Sequence, residues 1–435
     1  MYAERCLCFP TLFKLDGVWY TDIHIQKGGG SLDPVILHCD LNGFYASVEL
    51  LSHPDLRDVP MAVSGDPSSR HGIILAKNEP AKRFGVQTAE TIWQAKKKCP
   101  DLVLLPPHHG LYREYSQKVN AIYDEYTDLV EPFGIDESWL DMTHTLHLFG
   151  GDAKAFADSL RARVRRELGL TLSVGISFNK VFAKLGSDYR KPDATTVISR
   201  ENWQQLVWPL PVGDLLYVGG AAQKLLGKYG VRTIGQLAAY DRDTLELLMG
   251  KPGTQLSDYA NGLDTAPVRP RLAAEPVKSV GNGLTFPENL TTRAQVRAGI
   301  SLLADSVATR LRREGLYAGG VHVTVRDPEF HDRSRQKQLS APTHLIRDLT
   351  NTAMALTDTL WTPPNPIRAL TVTAIHLSPE ADTFEQADLF DPGAGQRSAR
   401  QEKLESAMDA IRKKYGGSAI VFGAVQPEKE EDPLP

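Results

Sequence analysis

Apolar positions recur along this chain in two rhythms, one of short runs and one of helical spacing. Pro34-Val-Ile-Leu-His-Cys-Asp40 is a nearly unbroken apolar run that predicts a buried strand ending in a carboxylate. Gly43-Phe-Tyr-Ala-Ser-Val-Glu-Leu-Leu51 then has helical spacing, with Asn42 placed to cap it. Met61-Ala-Val-Ser-Gly65 predicts a strand, Ile92–Cys99 a basic helix and Gly110–Tyr126 an amphipathic helix. Leu129–Thr143 reads as strand, tight turn, strand, with Asp136 and Glu137 near the turn. The helix Ala153–Leu168 leads into the strand Leu170–Ile176. Strands and helices alternate without strict βαβ periodicity, which predicts a mixed α+β sheet rather than a doubly wound one.

From Glu201 to Leu263 the pattern is helical, punctuated by Gly219-Gly220, Gly230 and Gly235. Such compact helix–turn–helix units suit contact with a DNA backbone. Pro267–Pro276 holds three prolines and little periodicity, a linker by composition. A second α+β block follows from Lys278 to about Pro379, its strands visible in the alternation of Gly320–Val325 and Ala369–Ile375. The last fifty or so residues are polar and acidic and predict a disordered end.

Composition adds bounds. At 435 residues the chain predicts about two to four domains. No apolar run approaches the roughly 18–20 residues of a membrane span. The first thirty residues lack the pattern of a secretory signal, so a cytoplasmic location is expected. Cys6, Cys8, Cys39 and Cys99 form neither a disulfide framework nor paired zinc spacing. The net charge of −4 resides in residues 381–435, with eleven Asp/Glu against seven Lys/Arg. Residues 278–380 carry twelve Lys/Arg against nine Asp/Glu, so the overall charge leaves a local nucleic-acid face open.

Phosphoryl transfer to a hydroxyl uses divalent cations held by a few rigid carboxylates. Asp40 at a strand end and Asp136-Glu137 at a hairpin meet that description, although carboxylates at such places are usually solvated turn formers. Their surroundings decide between the two. Asp40-Leu-Asn-Gly-Phe-Tyr-Ala-Ser-Val-Glu49 resembles the opening motif of the Y-family, or translesion, DNA polymerases. Gly134-Ile-Asp-Glu-Ser138 resembles their second acidic motif, and Leu172–Pro192 their third over almost its whole length. The order and separations match, and the similarity spans about residues 32–425. It is nearest to the bacterial DNA polymerase IV type, with features of the DNA polymerase V catalytic subunit.

The resemblance implies an α+β multidomain, right-hand polymerase. It has a ferredoxin-like palm (32–42 and 108–200), small fingers (43–107) and a helical thumb (201–266). A linker (267–277), an α+β little finger (278–380) and an acidic tail (381–435) follow, while residues 1–31 form an extension, natural or from an upstream-shifted start. The implied reaction is template-directed DNA synthesis by attack of a primer 3′-hydroxyl on a deoxynucleoside triphosphate. Low fidelity and tolerance of damaged templates go with it. Asp40 and Asp136 would bridge two magnesium ions (manganese being an alternative), Glu137 would hold the catalytic one, and the Leu41 carbonyl would touch the other. Tyr45 falls at the steric gate that excludes ribonucleotides. Phe44, Lys82, Tyr112 and Lys191 fall at nucleotide-contact positions, with Arg83 and Lys184 as weaker candidates. Glu79 stands where many relatives have an aromatic residue, and Asn42 replaces a common second Asp.

Gln386-Ala-Asp-Leu-Phe390 matches the pentapeptide by which bacterial polymerases bind the β sliding clamp. Gln386, Asp388, Leu389 and Phe390 would make that contact and raise the enzyme's effective concentration at the primer end. The expected partners are primer–template DNA, deoxynucleotides and the clamp, with the protein itself a monomer away from membranes. Two rival readings are a catalytically silent DNA- and clamp-binding scaffold and a nucleotidyl cyclase. Intact carboxylates oppose the first, and the DNA-binding extensions oppose the second.

Overall fold

The computed structural model describes residues 11–15, 18–22, 33–67, 72–271, 276–380, 394–417 and 419–420. It divides into two compact units, Met1–Arg57 with His108–Ala273, and Asp58–Pro107 with Ala274–Pro435.

The first unit is organised on a five-stranded sheet ordered Thr195–Ile198, Leu172–Ser177, Ile36–Leu41, Glu137–Asp141, Val130–Pro132. Ile36–Leu41 is central, antiparallel to both neighbours and buried at all six positions. A strand covered on both faces needs apolar residues without alternation, which is why its sequence is a continuous run. Leu37, Cys39 and Leu41 face a core shared with Val119, Ile122 and Tyr123 of helix His109–Asp124, and with Phe156, Leu160 and Val164 of helix Ala153–Leu168. His38 and Asp40 alternate to the opposite face. There they meet helix Lys180–Tyr189.

Gly175, the register partner of His38, sets that helix's approach. A Cβ at Gly175 would lie 1.9 Å from the Ala183 carbonyl oxygen and 2.3 Å from the Ser187 nitrogen. Only glycine lets helix and strand come this close. The rest of the unit comprises the short helices Trp203–Val207, Gly220–Lys228, Ile234–Ala238, Arg242–Met249 and Lys251–Ala260. They close on Val212, Leu226, Ile234, Leu237, Leu245 and Leu256, as the glycine-punctuated pattern predicts. The proline-rich segment is anchored where it leaves this unit. The Arg269 backbone N–H donates to Glu131 at 2.9 Å, and the Arg271 guanidinium pairs with Asp124.

The second unit contains a three-stranded sheet of Ile74–Lys77, Met61–Ser64 and Val103–Leu105, with helix Ile92–Lys98 started by a reciprocal Thr91/Gln94 cap. It also contains a four-stranded antiparallel sheet ordered Ser279–Leu290, Ile367–Pro379, Leu316–Arg326, Asp332–Thr343. Val296, Ile300, Leu303, Val307 and Leu311 of helix Arg293–Arg313 recur at helical spacing. They pack with Val321, Val323, Leu370 and Val372 and with Leu349 and Ala353 of helix Ile346–Leu360. Strand Asp332–Thr343 stays exposed along most of its length and presents Arg333, Arg335 and Lys337.

Two expectations are corrected. Asn42 does not cap the helix Phe44–Ser52, because Gly43 takes the cap position with φ 53° and no side-chain cap bond. Nor is the region after Glu380 disordered throughout. Residues Ala394–Tyr415 form a helix whose Glu405 is fully buried. Glu405 pairs with Arg312 at 2.5 Å and accepts from the Ile346 N–H at 3.2 Å, at the start of a helix that lacks a side-chain cap. Asp409 joins Arg312 at 2.7 Å, and Arg412 joins Asp305 at 2.7 Å. A polar, acidic composition suggested disorder, but Glu405 and Asp409 meet Arg312 of the neighbouring helix and Arg412 meets that helix's Asp305. Among the described residues no helix is long and apolar enough to cross a membrane.

Candidate active site

The register of the central sheet builds the site. Asp40 stands opposite Glu137 on the adjacent strand, so the two carboxylates share one edge. Asp136 immediately precedes that strand, and its carbonyl accepts the Leu41 N–H at 3.0 Å. Gly134, with φ +97°, turns the chain into this position. Asp40 is buried (4% exposed) and is compensated by two ammonium groups, Lys184 at 3.0 Å and Lys191 at 2.7 Å. Lys184 also reaches Glu137 at 3.0 Å and Asp188 at 3.2 Å. Lys191 reaches Asp188 at 2.7 Å.

His38 joins this cluster. It is fully buried, with Nδ1 2.8 Å from the Ser187 hydroxyl. Because Ser187 donates its proton to the Lys184 carbonyl at 2.7 Å, its oxygen is left to accept from Nδ1–H. Nε2 then faces Oε2 of Glu137 at 3.2 Å, and neither atom has an aligned hydrogen bond. A ring nitrogen of His38 and one oxygen each from Asp40 and Glu137 lie within 4.8 Å of one another.

Electrostatics distinguishes the two adjacent acids. Burial, with the negative charges of Asp40 and Glu137, pushes the Asp136 carboxyl up to about 6. Burial pushes Glu137 the same way, but the neighbouring His38 and Lys184 overcome it and hold that carboxyl below the usual carboxylate range. Burial likewise opposes the charge on Lys184, yet Asp40, Asp188 and Glu137 hold its ammonium above the usual range. This is a cluster of excess negative charge balanced by lysines, as a site for a hard cation or a polyphosphate requires.

The other predicted residues fall in three groups. Tyr45 is half-buried, and its phenol is raised first by burial and then by the charge of Asp136. Tyr112 lies under it, with ring centroids 4.0 Å apart and planes 15° from parallel. Tyr112 is fully buried and donates its hydroxyl to Glu49, itself buried and 2.9 Å from His108. The Tyr112 hydroxyl is thus engaged by Glu49, and its ring supports Tyr45. The Phe44 side chain is 3% exposed and part of the core. Lys82 belongs to the second unit, on the short helix Glu79–Arg83, exposed and 3.5 Å from Glu79. That ion pair, rather than one to Lys77 or Arg83, is where the unusual acid at position 79 turns. Gln386, Asp388, Leu389 and Phe390 lie outside the described residues.

Sequence reasoning missed His38 and Ser187 and underrated Lys184. A histidine in an otherwise apolar strand two residues before Asp40 was the available signal, since alternation puts both on one face.

Residues 39–188 match the model of the impB/mucB/samB family, and residues 277–389 match the model of that family's C-terminal domain. A DNA polymerase IV of Acetivibrio thermocellus is 45% identical over 389 residues, covering 89% of this chain and 96% of the relative. DNA polymerase IV 1 of Bacillus subtilis is 36% identical over 396 residues, covering 91% of this chain and 94% of the relative. Among solved structures, a Y-family DNA polymerase chimera, Dbh-Dpo4(243-245)-Dbh, superposes with a TM-score of 0.70 at 21% identity. It covers 79% of this chain and 98% of its own. The paired domains, the near full-length relatives and the shared fold together make this chain a member of the impB/mucB/samB family of Y-family DNA polymerases.

Proposed function

We propose that the protein is a DNA-directed DNA polymerase of the translesion type. It extends a primer by attack of the 3′-hydroxyl on the α-phosphate of a deoxynucleoside triphosphate, with release of pyrophosphate. One observation carries this reading: Asp40, Asp136 and Glu137 converge on adjacent strand ends, with Lys184 and Lys191 closing on the same carboxylates.

The donor set fits divalent magnesium. It offers hard carboxylate oxygens, including a buried Glu137 oxygen that lacks an aligned hydrogen bond. Asp40, Asp136, Glu137 and the Leu41 carbonyl would hold two ions. When bound, these neutralise the transferring phosphate and activate the attacking hydroxyl. Lys191 contacts the triphosphate as a point charge. The Tyr45 ring, supported by Tyr112, lies under the sugar and excludes a 2′-hydroxyl.

In the family's terms, residues 32–42 and 108–200 are the palm, 43–107 the fingers, 201–266 the thumb and 278–380 the little finger. The exposed Arg333, Arg335 and Lys337 serve the DNA backbone. Gln386–Phe390 tethers the polymerase to the sliding clamp, and the enzyme works as a monomer in DNA damage tolerance.

The test is primer extension on an undamaged template with magnesium and all four deoxynucleotides, beside the double variant Asp136→Ala/Glu137→Ala. Template-directed products from the wild type alone are expected. A folded, DNA-binding wild type that extends nothing, even with clamp present, would overturn the reading.

A further inference from the structure

Asn42 stands one residue beyond the strand that presents Asp40, and its side chain is neither a helix cap nor a ligand of the carboxylate cluster. Its amide oxygen accepts the Asp193 backbone N–H at 2.8 Å, and its amide nitrogen donates to the Ser173 hydroxyl at 2.9 Å. Both bonds join segments distant in sequence, and each uses the correct end of the amide.

Asp193 closes the turn that follows helix Lys180–Tyr189 and has a positive φ of 53°, which only a few residue types adopt readily. From the far side its carbonyl and carboxylate are held by the Arg161 guanidinium, and its carboxylate also by Arg165. Arg161 is tied in turn to the Leu172 carbonyl at 3.3 Å and to Asp158 at 3.0 Å. Two residues before Asp193 in this turn is Lys191, whose ammonium lies 2.7 Å from Asp40. The turn that aims Lys191 is therefore gripped from two sides, by arginines of helix Ala153–Leu168 and by Asn42.

We propose that Asn42 is a positioning residue of the nucleotide site: it latches the Lys191-bearing turn to the end of the catalytic strand. The proposal rests on the reading of Lys191 as a triphosphate contact. Losing the latch leaves the arginine side intact, so the turn loosens without unfolding, and the ground-state contact to the triphosphate weakens more than the chemical step.

Single-nucleotide insertion kinetics at saturating magnesium test this with Asn42→Ala, Asn42→Asp, Ser173→Ala and Lys191→Ala. Primer–template Kd and thermal midpoint are measured on each variant. Asn42→Ala is expected to raise the deoxynucleotide KM about 5–10-fold, the scale of one lost net hydrogen bond, with kcat within about 2-fold and Kd unchanged. Asn42→Asp keeps an acceptor for Asp193 and can take the Ser173 proton, so its KM returns to within about 2-fold of wild type. Ser173→Ala, which leaves the Asp193 bond intact, raises KM by a smaller factor and reads the latch even if Asn42→Ala folds poorly. If Lys191→Ala raises KM while neither Asn42→Ala nor Ser173→Ala does, the latch is overturned and the reading of Lys191 stands. If Lys191→Ala leaves KM unchanged, that reading falls and the latch falls with it. A lower thermal midpoint with no KM change in Asn42→Ala would assign Asn42 a purely structural role and also overturn the proposal.

Discussion

Replacing Asp136 by asparagine separates what the carboxylate cluster costs in stability from what it does in chemistry. The Asp136 carboxyl is raised from 3.8 to about 6 by burial and by the charges of Asp40 and Glu137. A group raised in this way binds its proton more tightly in the folded chain than in the unfolded one, so its ionisation destabilises the fold. The penalty is absent below about pH 3.8, grows as pH rises through the window to about 6, and is fully present above it. A shift of about two pH units corresponds to about 3 kcal/mol. Partial exposure of the group reduces that to about 1–2 kcal/mol. An asparagine side chain at this position keeps the shape without the charge. At pH 7.5 in EDTA, Asp136→Asn is therefore expected to melt about 3–6 °C above wild type while losing primer extension. The gap should narrow at pH 5, where part of the wild-type carboxyl is protonated. Magnesium should also narrow it, because a cation that binds only the folded wild type stabilises it by mass action. Thermal unfolding at the two pH values, with and without magnesium, measures all of this. An Asp136→Asn protein that melts at or below wild type in EDTA at pH 7.5 would show that the cluster is not held under charge strain.

His38→Ala removes the ring that faces Glu137 and is expected to raise the magnesium concentration for half-maximal activity about 10-fold, on the scale of outer-shell contacts. An unchanged magnesium titration would remove His38 from the site. Tyr112→Leu takes away the flat support under Tyr45 and should cut discrimination against ribonucleotides about 10-fold, read from paired insertion kinetics. Tyr112→Phe keeps the ring but leaves the buried Glu49 short of one donor, so a loss of about 1–3 kcal/mol in chemical denaturation is expected with discrimination retained. Glu405→Ala leaves Arg312 with Asp409 as its remaining carboxylate partner and removes the acceptor of the Ile346 N–H. Limited proteolysis should then cut within residues 394–415 under conditions where wild type resists, and equal resistance would mean the buried pair does not hold that helix.

Local pattern alone determined a good deal here. The buried run before Asp40, the hairpin around Asp136 and the glycine-punctuated helices carry their structure in neighbouring residues, because strand burial and turn geometry are short-range properties. The three carboxylates and the family resemblance were legible for the same reason, since they lie in continuous motifs. What only the tertiary structure decided is which distant groups share a face. Gly175 lets helix Lys180–Tyr189 sit close on the sheet, and that approach, invisible along the chain, brings Lys184 onto Asp40 and Ser187 onto His38. Aromatic residues in a motif carry no mark of burial, and packing places the Tyr112 and Phe44 side chains in the core. Asn42 looked like a cap from its place before a helix, but two partners more than a hundred residues away compete for its amide and win. The C-terminal helix has the composition of a disordered tail, and it is ordered where Arg312 and Arg412 meet acids that sequence alone could only count. Composition sets how much charge a segment carries, and only the fold sets whether a countercharge stands within about 3–4 Å of it.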